Sequence, residues 1–355
     1  YDVRHPDNLP ANPECGGNAA LADAVQRIQK LGYVGCLHDN VQDMYRDAKS
    51  WDPGYIEKKP DGSLIAGGRW NGGRAYMVCA PKQLELAQRT QNLGAIRDLF
   101  GPWSYFIDTT YAVGPRECFD PSHPIGRNED IAWKIRLSDY ARNLFGIFGS
   151  ECGREWALPH SDFFEGLVGV SGNYYHQLKP QELGADVIPF FEMVYHDCQI
   201  VFGKYGYRPE NAGEFVAHHA LCGRPLYYHS LGKHLYWKDE AGQKAPGGPR
   251  AAYVRSDGGW GEGLCPMDVF LKNTHELLGP LHAATARQRL TKFEFLDAAG
   301  LVRRSTFGRE KERTVVTANL GTSDAEVDSP RGGKVLLPAY GVVIDAPTCV
   351  SLVST

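Results

Sequence analysis

WSYFIDTTYA at Trp103–Ala112 and LFGIFGSECGREWALPHSDFFEG at Leu144–Gly166 decide how the rest of the chain is read. Each begins as a short apolar run of strand type, Ser104 to Ile107 and Leu144 to Phe148. Each run leads to an acid, Asp108 in the first and Glu151 in the second, followed by small or polar residues. Between them Ile131, Ile135, Leu137, Tyr140, Ala141 and Leu144 recur at roughly helical spacing. The unit reads strand, loop, helix, strand, with a carboxylate ending each strand.

In a parallel α/β sheet or barrel the C-terminal strand ends share one face, and the loops there build the site. Asp108 and Glu151 are therefore expected side by side. Two such carboxylates suit glycosidic cleavage, one protonating the leaving oxygen and one acting as nucleophile or base against an oxocarbenium-like centre. The structural alternative for either acid is to cap the following helix or to pair with Arg116 or Arg154. Glu155 is the fallback acid; Glu151 is preferred because a strand fixes its backbone. Asp108 is expected to stay ionised, and Glu151, beside Cys152 and Trp156, to hold a proton because burial and a neighbouring anion disfavour its charge.

Outward toward the N-terminus, Leu21, Ala24, Val25, Ile28 and Leu31 mark an amphipathic helix that Gly32 is placed to end. Tyr33 to Leu37 is a strand leading into His38, Asp39 and Asn40. The polar insertion from Val41 to Gly73 reads as a long loop with a hairpin turn at Asp61-Gly62, and Trp51, Trp70 and Asn71 are candidates for a lid or a sugar-stacking wall. One helix is expected from Pro81 through Phe100.

Outward toward the C-terminus, Val187 to Tyr195 is expected to be a strand ending at His196 and Asp197. A helix from Glu210 to Cys222, a strand RPLYYH to His229, a glycine-rich loop from Gly242 to Gly263 and a helix from Asp268 to Leu278 follow. With a weak strand at Tyr1 to Val3 this makes six strand candidates. From Lys292 onward KFEFLDAAGLVRRSTFG, TVVTANLG and KVLLPAYGVVIDA are β-rich runs split by glycine turns, so a small antiparallel module begins near residue 288. Substrate contacts are expected from His38, Asp39, His196, Asp197 and His229 as hydrogen-bonding groups and from Trp70, Tyr111 and Trp156 as aromatic walls.

The 355 residues suit a barrel plus a smaller module. Net charge is −4, and the longest basic run is Arg303-Arg304, so neither nucleic acid nor an anionic membrane has an electrostatic footprint here. No apolar run approaches the roughly 20 residues of a membrane-spanning helix. The 9 cysteines are scattered singly, with no CxxC and no metal-finger spacing, so no disulfide framework, metal or cofactor is expected. The chain opens on Tyr1 without a charged-then-apolar leader.

With HDN after one strand, YFIDTTY after the next, FGSECGREW after the third and a closing TVVTANLG…LLPAYGVVID module, the chain resembles bacterial barrel glycosidases of the endo-α-N-acetylgalactosaminidase type, broad relatives of the α-galactosidase-like barrels. The resemblance implies an α/β fold: a TIM-type (β/α)8 barrel, whole or lacking its first strands, over 1–287, and an antiparallel β-sandwich over 288–355. It implies a retaining pair with Asp108 as nucleophile and Glu151 as acid/base. It further implies an α-linked, galacto-configured oligo- or polysaccharide substrate and a periplasmic or secreted setting. Family members carry a β-sandwich domain and a barrel strand or two ahead of the matching portion. Two alternatives stand beside this reading: a hydrolase or isomerase assisted by a metal on His38, Asp39, His196 and Asp197, and a catalytically silent carbohydrate-binding barrel.

Overall fold

A computed structural model describes residues 5–70, 73–167, 188–203, 212–226, 266–348 and 350–353. The chain divides into two compact units, Tyr1–Val168 and Gly169–Thr355. The elements of the first are α1 (Gly17–Lys30), β1 (Cys36–Asp39), β2 (Asp43–Tyr45), β3 (Ala66–Trp70), β4 (Gly73–Met77), α2 (Ala80–Ala87), α3 (Leu93–Phe100), β5 (Ser104–Ile107), α4 (Arg127–Phe145), β6 (Ile147–Gly153) and β7 (Phe163–Leu167). Strands β1, β5, β6 and β7 are neighbours in that order, and all run parallel. Among the described residues the parallel sheet is an open arc rather than a closed barrel.

The strand register sorts side chains onto two faces. His38, Phe106, Gly149 and Phe163 are partners across the sheet, and Asp39, Ile107, Ser150 and Phe164 form the next row. Successive strand residues point to opposite faces, so these rows lie on opposite sides. On the first, His38 stacks on Phe106 at 5.3 Å and Phe106 on Phe163 at 6.2 Å. Gly149 lies between those rings because a Cβ there would come within 2.4 Å of Phe163. On the other, Tyr105 stacks on Phe145 of α4 at 4.3 Å. That face is closed by the crossover helix, as a βαβ unit requires.

Helix α4 starts where Glu129 Oε2 accepts the Gly126 N–H at 2.7 Å and stops at Gly146, whose φ of 92° suits glycine. Arg142 grips Asp162 bidentately at 3.1 and 2.7 Å, and Asp162 also accepts the Phe148 N–H at 3.0 Å. These bonds lock the helix to the strands on either side of the candidate acids.

Two expectations for this unit are corrected. The insertion after β1 is a three-stranded antiparallel sheet, ordered β2-β4-β3, with its own core of Met44, Ile56, Val78 and Leu86. Trp51 belongs to that core, edge-on to Tyr76 at 5.2 Å, and is not a lid. The expected turn at Asp61-Gly62 is present, with Gly62 at φ 80° and its N–H on the Lys59 carbonyl at 2.9 Å. The helix expected over Pro81 to Phe100 is two helices, α2 and α3. They break where Asn92 turns its side chain to the Pro6 carbonyl at 3.0 Å and Arg89 reaches Asp7 at 3.2 Å.

The second unit contains helices Phe190–Tyr195, Ala212–Cys222 and Pro266–Thr285 and the short strand β8 (Ile200–Phe202). Its strands β9 (Leu290–Phe295), β10 (Val302–Phe307), β11 (Thr314–Asn319), β14 (Val342–Asp345) and β15 (Val350–Val353) form an antiparallel sheet, with β12 (Ala325–Asp328) and β13 (Lys334–Leu337) as a separate hairpin. Val316, Ala318, Val342 and Ile344 face Val216, Ala217, Leu278 and Leu281 of the two longer helices. The opposite face, at Val302 and Val343, meets Val327 and Leu337 of the hairpin. Residues 188–195 are not a strand: helix Phe190–Tyr195 follows Pro189, and the Met193 N–H bonds the Pro189 carbonyl at 2.9 Å. A continuous apolar run cannot by itself tell a buried strand from a short buried helix.

Candidate active site

Asp108 is the first residue past β5, and its N–H donates to the Asp39 carbonyl at 2.8 Å, which holds its backbone to β1. Glu151 lies inside β6, not at its end, and its register partner on β7 is Glu165. Ser150 ties the two acid-bearing strands together, its Oγ donating to the Ile107 carbonyl at 2.6 Å. Each acid is followed by a non-glycine residue in the left-handed region, Thr109 at φ 61° and Cys152 at φ 58°. Such backbone costs of order 1–3 kcal/mol per residue and persists where surroundings enforce it.

Asp108 and Glu151 stand on adjacent parallel strands, close enough for the charge of one to act on the other. Asn40 braces the approach: its Oδ1 accepts the N–H groups of Gln42 at 3.0 Å and Asp43 at 2.9 Å, while its Nδ2 donates to Asp43 Oδ2 at 3.2 Å and reaches Asp108 Oδ2 at 3.4 Å. Burial, then the charge of Glu151, then that of Asp43, push the Asp108 carboxyl up to about 7. Near neutrality Asp108 therefore holds a proton part of the time and is not the permanently ionised member that the sequence suggested. Neither expected arginine neutralises the pair. Arg116 Nε is 2.5 Å from Glu57, and Arg154 donates to the Tyr111 and Ala112 carbonyls at 2.8 and 3.3 Å.

The other candidates separate by face and by burial. His38 shares its face with Phe106, and the residue two further on, Asn40, contacts Asp108. Asp39 points the other way and is fully buried, its oxygens taken by Asn8, by the Asn40 N–H at 2.6 Å and by Tyr105 at 3.2 Å. It supports the β1 end and offers nothing to a ligand. Tyr111 is also fully buried, bonded to Ser138 at 2.7 Å, so it is core and not a wall. Trp156 is half-buried with its ring edge-on to Tyr111 at 5.4 Å. Glu155 is exposed on the short 3-10 turn Glu155–His160.

In the second unit His196 ends a helix, not a strand, and its Nδ1 contacts the Gln288 carbonyl at 2.7 Å beside Phe307. Asp197 is exposed and accepts from Cys198 Sγ at 3.6 Å. This leaves the imagined metal set of His38, Asp39, His196 and Asp197 without the free Asp39 carboxylate that it needs. The side chain of Trp70, and His229, lie outside the described residues.

Asn40, Asp43 and Glu165 were not singled out from sequence. Residues 38, 40, 106, 108, 149, 151, 163 and 165 share one parity within their strands, and counting by twos from Asp108 and Glu151 would have found Asn40 and Glu165. An open groove of about 710 Å³ between α2 and the turn 122–125 contains none of these acids. Convergent carboxylates at parallel strand ends are a stronger marker of chemistry than volume alone.

No protein-family model matches the sequence, and no curated protein matches it. Solved structures do. The chain is 21% identical to a ligand-free α-N-acetylgalactosaminidase from Bifidobacterium bifidum, with a TM-score of 0.67 over 90% of this chain and 46% of that one. It is 11% identical to an α-amylase from Geobacillus thermoleovorans complexed with acarbose, TM-score 0.58, over 98% of this chain and 83% of that one. Similar values, 11% and 0.55 over 98% and 81%, relate it to a cyclic α-maltosyl-(1→6)-maltose hydrolase from Arthrobacter globiformis. The fold is that of the glycoside hydrolase barrels with a C-terminal β domain. The chain spans about half the length of the first of these structures, 46%.

Proposed function

We propose that the protein is a retaining glycoside hydrolase acting on an α-linked, galacto-configured sugar, with Asp108 as nucleophile and Glu151 as acid/base. The observation that supports this reading is the placement of the two acids on adjacent parallel strands, close enough for the Glu151 charge to act on Asp108. Retaining enzymes hold the pair roughly 5–5.5 Å apart, whereas inverting ones need about 6.5–9.5 Å to seat a water between acid and sugar. Neighbouring parallel strands lie about 4.8 Å apart, so acids carried on them can reach the shorter range. The structural neighbours, an α-N-acetylgalactosaminidase, an α-amylase and a cyclic α-maltosyl-(1→6)-maltose hydrolase, support an α-linked substrate.

In the first half-reaction the Asp108 carboxylate attacks the anomeric carbon while Glu151 gives its proton to the departing oxygen. In the second, Glu151 takes a proton from water, whose oxygen displaces Asp108. With its carboxyl at about 7, Asp108 is partly ionised at neutrality, and that ionised form is the one that attacks. Asn40, donating to Asp108, favours its charged form.

A panel of aryl α- and β-glycosides tests the reading. Asp108→Ala should abolish turnover of every substrate, and Glu151→Ala should keep measurable turnover only of aryl glycosides whose leaving groups need little protonation. If Glu151→Ala behaves like the parent while Glu155→Ala shows that selectivity, the acid/base role moves to Glu155. Indifference of activity to Asp108 and Glu151 alike would remove the glycosidase assignment.

A further inference from the structure

Away from the carboxylates, Cys79, Cys118 and His123 converge although their segments are far apart in sequence. Their ligand atoms all lie within 4.8 Å of one another, and all three residues are buried. Cys79 immediately precedes α2, its N–H held by the Tyr55 carbonyl at 2.9 Å. Cys118 and His123 flank a turn that Cys118 and Ile125 close with paired backbone bonds of 3.0 and 3.1 Å. Within that turn Asp120 accepts the Ser122 N–H at 2.8 Å, which fixes the backbone leading to His123.

The histidine is oriented as a ligand. Its Nε2 faces the Gly54 carbonyl at 2.8 Å, an arrangement that places the ring proton on Nε2 and leaves the Nδ1 lone pair toward Cys118 Sγ, 3.5 Å away. That separation matches an edge of a tetrahedral zinc site, since Zn–S of about 2.3 Å and Zn–N of about 2.0–2.1 Å put sulfur and nitrogen roughly 3.5 Å apart. The Lys58 N–H points at Cys118 Sγ from 3.4 Å, a donor that supports a thiolate. Ala80, Ile125 and Trp133 pack beside the three side chains, and the buried Asp120 lies 3.6 Å from His123 Nε2.

We propose that Cys79, Cys118 and His123 bind a zinc ion. On binding, both thiols lose their protons to solvent, and the two thiolates balance the charge of the dication. Water takes the fourth position, supplied from the groove of about 710 Å³ that His123 also lines. The bound ion joins the turn at 118–125, part of the connection that leaves Asp108 and enters α4, to the start of α2.

Metal analysis of the full chain, purified under reducing conditions from zinc-supplemented culture, should find about one zinc per chain. Cys118→Ser and His123→Ala should each lose it, while a Cys15→Ser/Cys36→Ser control should keep it. A chelator should lower the Tm of the wild-type chain, and zinc should restore it, a readout that does not depend on any variant folding. Cobalt exchanged into the wild-type chain should give a thiolate-to-metal absorption band that Cys79→Ser lacks. The proposal is overturned if the wild-type chain carries no zinc and yields no cobalt band, or if mass spectrometry of the chain as produced finds Cys79 and Cys118 joined as a disulfide.

Discussion

Asp108 carries the clearest pH signature in the first unit. Its carboxyl stands at about 7 in the folded chain, against an ordinary value near 4 when unfolded. Between about pH 4 and pH 7 the folded state therefore holds a proton that the unfolded state has released, and stability falls as pH rises through that window. Asp108→Asn removes the dependence at this site. The variant should be more stable than the parent at about pH 8, and the two should converge toward about pH 4, as read from urea midpoints. Parallel curves would mean that burial and the Glu151 charge do not act on Asp108 as described. Glu151→Gln should draw the Asp108 titration down, followed by the carbon-13 shift of its carboxyl, because the neighbour whose charge acts on it most is gone. Burial then remains as the main force raising it. The placement of these acids on neighbouring strands was legible in the sequence because each follows an apolar run of strand length. The rise at Asp108 was not, because it depends in part on Asp43, which the chain brings in from a separate small sheet.

Among the elements, β6 is the most tightly constrained. A Cβ on Gly153 would fall 2.0 Å from Phe164 Cδ2, and Phe164 is fully buried on the neighbouring strand. Gly153→Ala should cost about 1–3 kcal/mol of stability through overpacking. Adding Phe164→Leu should recover part of the loss, an interaction that a double-mutant cycle detects. Additive losses would show that the strands move apart freely. Helix α4 presents a different constraint. Lys134 and Asp130, one turn apart and both almost fully buried, pair at 2.9 Å, and Asp130 also accepts the Arg116 N–H at 3.2 Å. Lys134→Met strands that carboxylate and should cost about 3–5 kcal/mol by urea unfolding. Helical periodicity located α4 but gave no warning of the buried pair. Likewise the join of α2 to α3 escaped notice because the break is made by Asp7 and Pro6, more than 80 positions upstream of Arg89 and Asn92.

At the scale of the whole molecule, local texture carried well where one segment supplies both pattern and partner. The βαβ unit around Asp108 and Glu151 is such a case, as is the glycine-punctuated antiparallel sheet that starts at Leu290. It carried poorly where a segment's role is assigned by distant chain. His196 and Asp197 read as strand-end ligands only while Val187 to Tyr195 was taken for a strand, and the cysteines read as scattered because spacing along the chain hides Cys79 from Cys118. In the second unit the sheet is covered on both faces, which is why β11 is buried throughout and does not alternate. Phe307 is fully buried within that layer, and Phe307→Ala should cost about 3–5 kcal/mol, measured by urea unfolding. A much smaller loss would mean that the helices do not depend on the sheet for their packing.

Thr109 and Cys152 bear on how this protein would respond to selection in the laboratory. Each spends conformational energy one bond past an acid, and glycine at either place would relieve it by roughly 1 kcal/mol or more. A screen for heat resistance alone would be drawn to these positions and would collect sturdier chains whose acids are aimed less well. Screening for turnover would hold both residues as they are. The two regimes should diverge first at 109 and 152, before any other residue of the candidate site has changed.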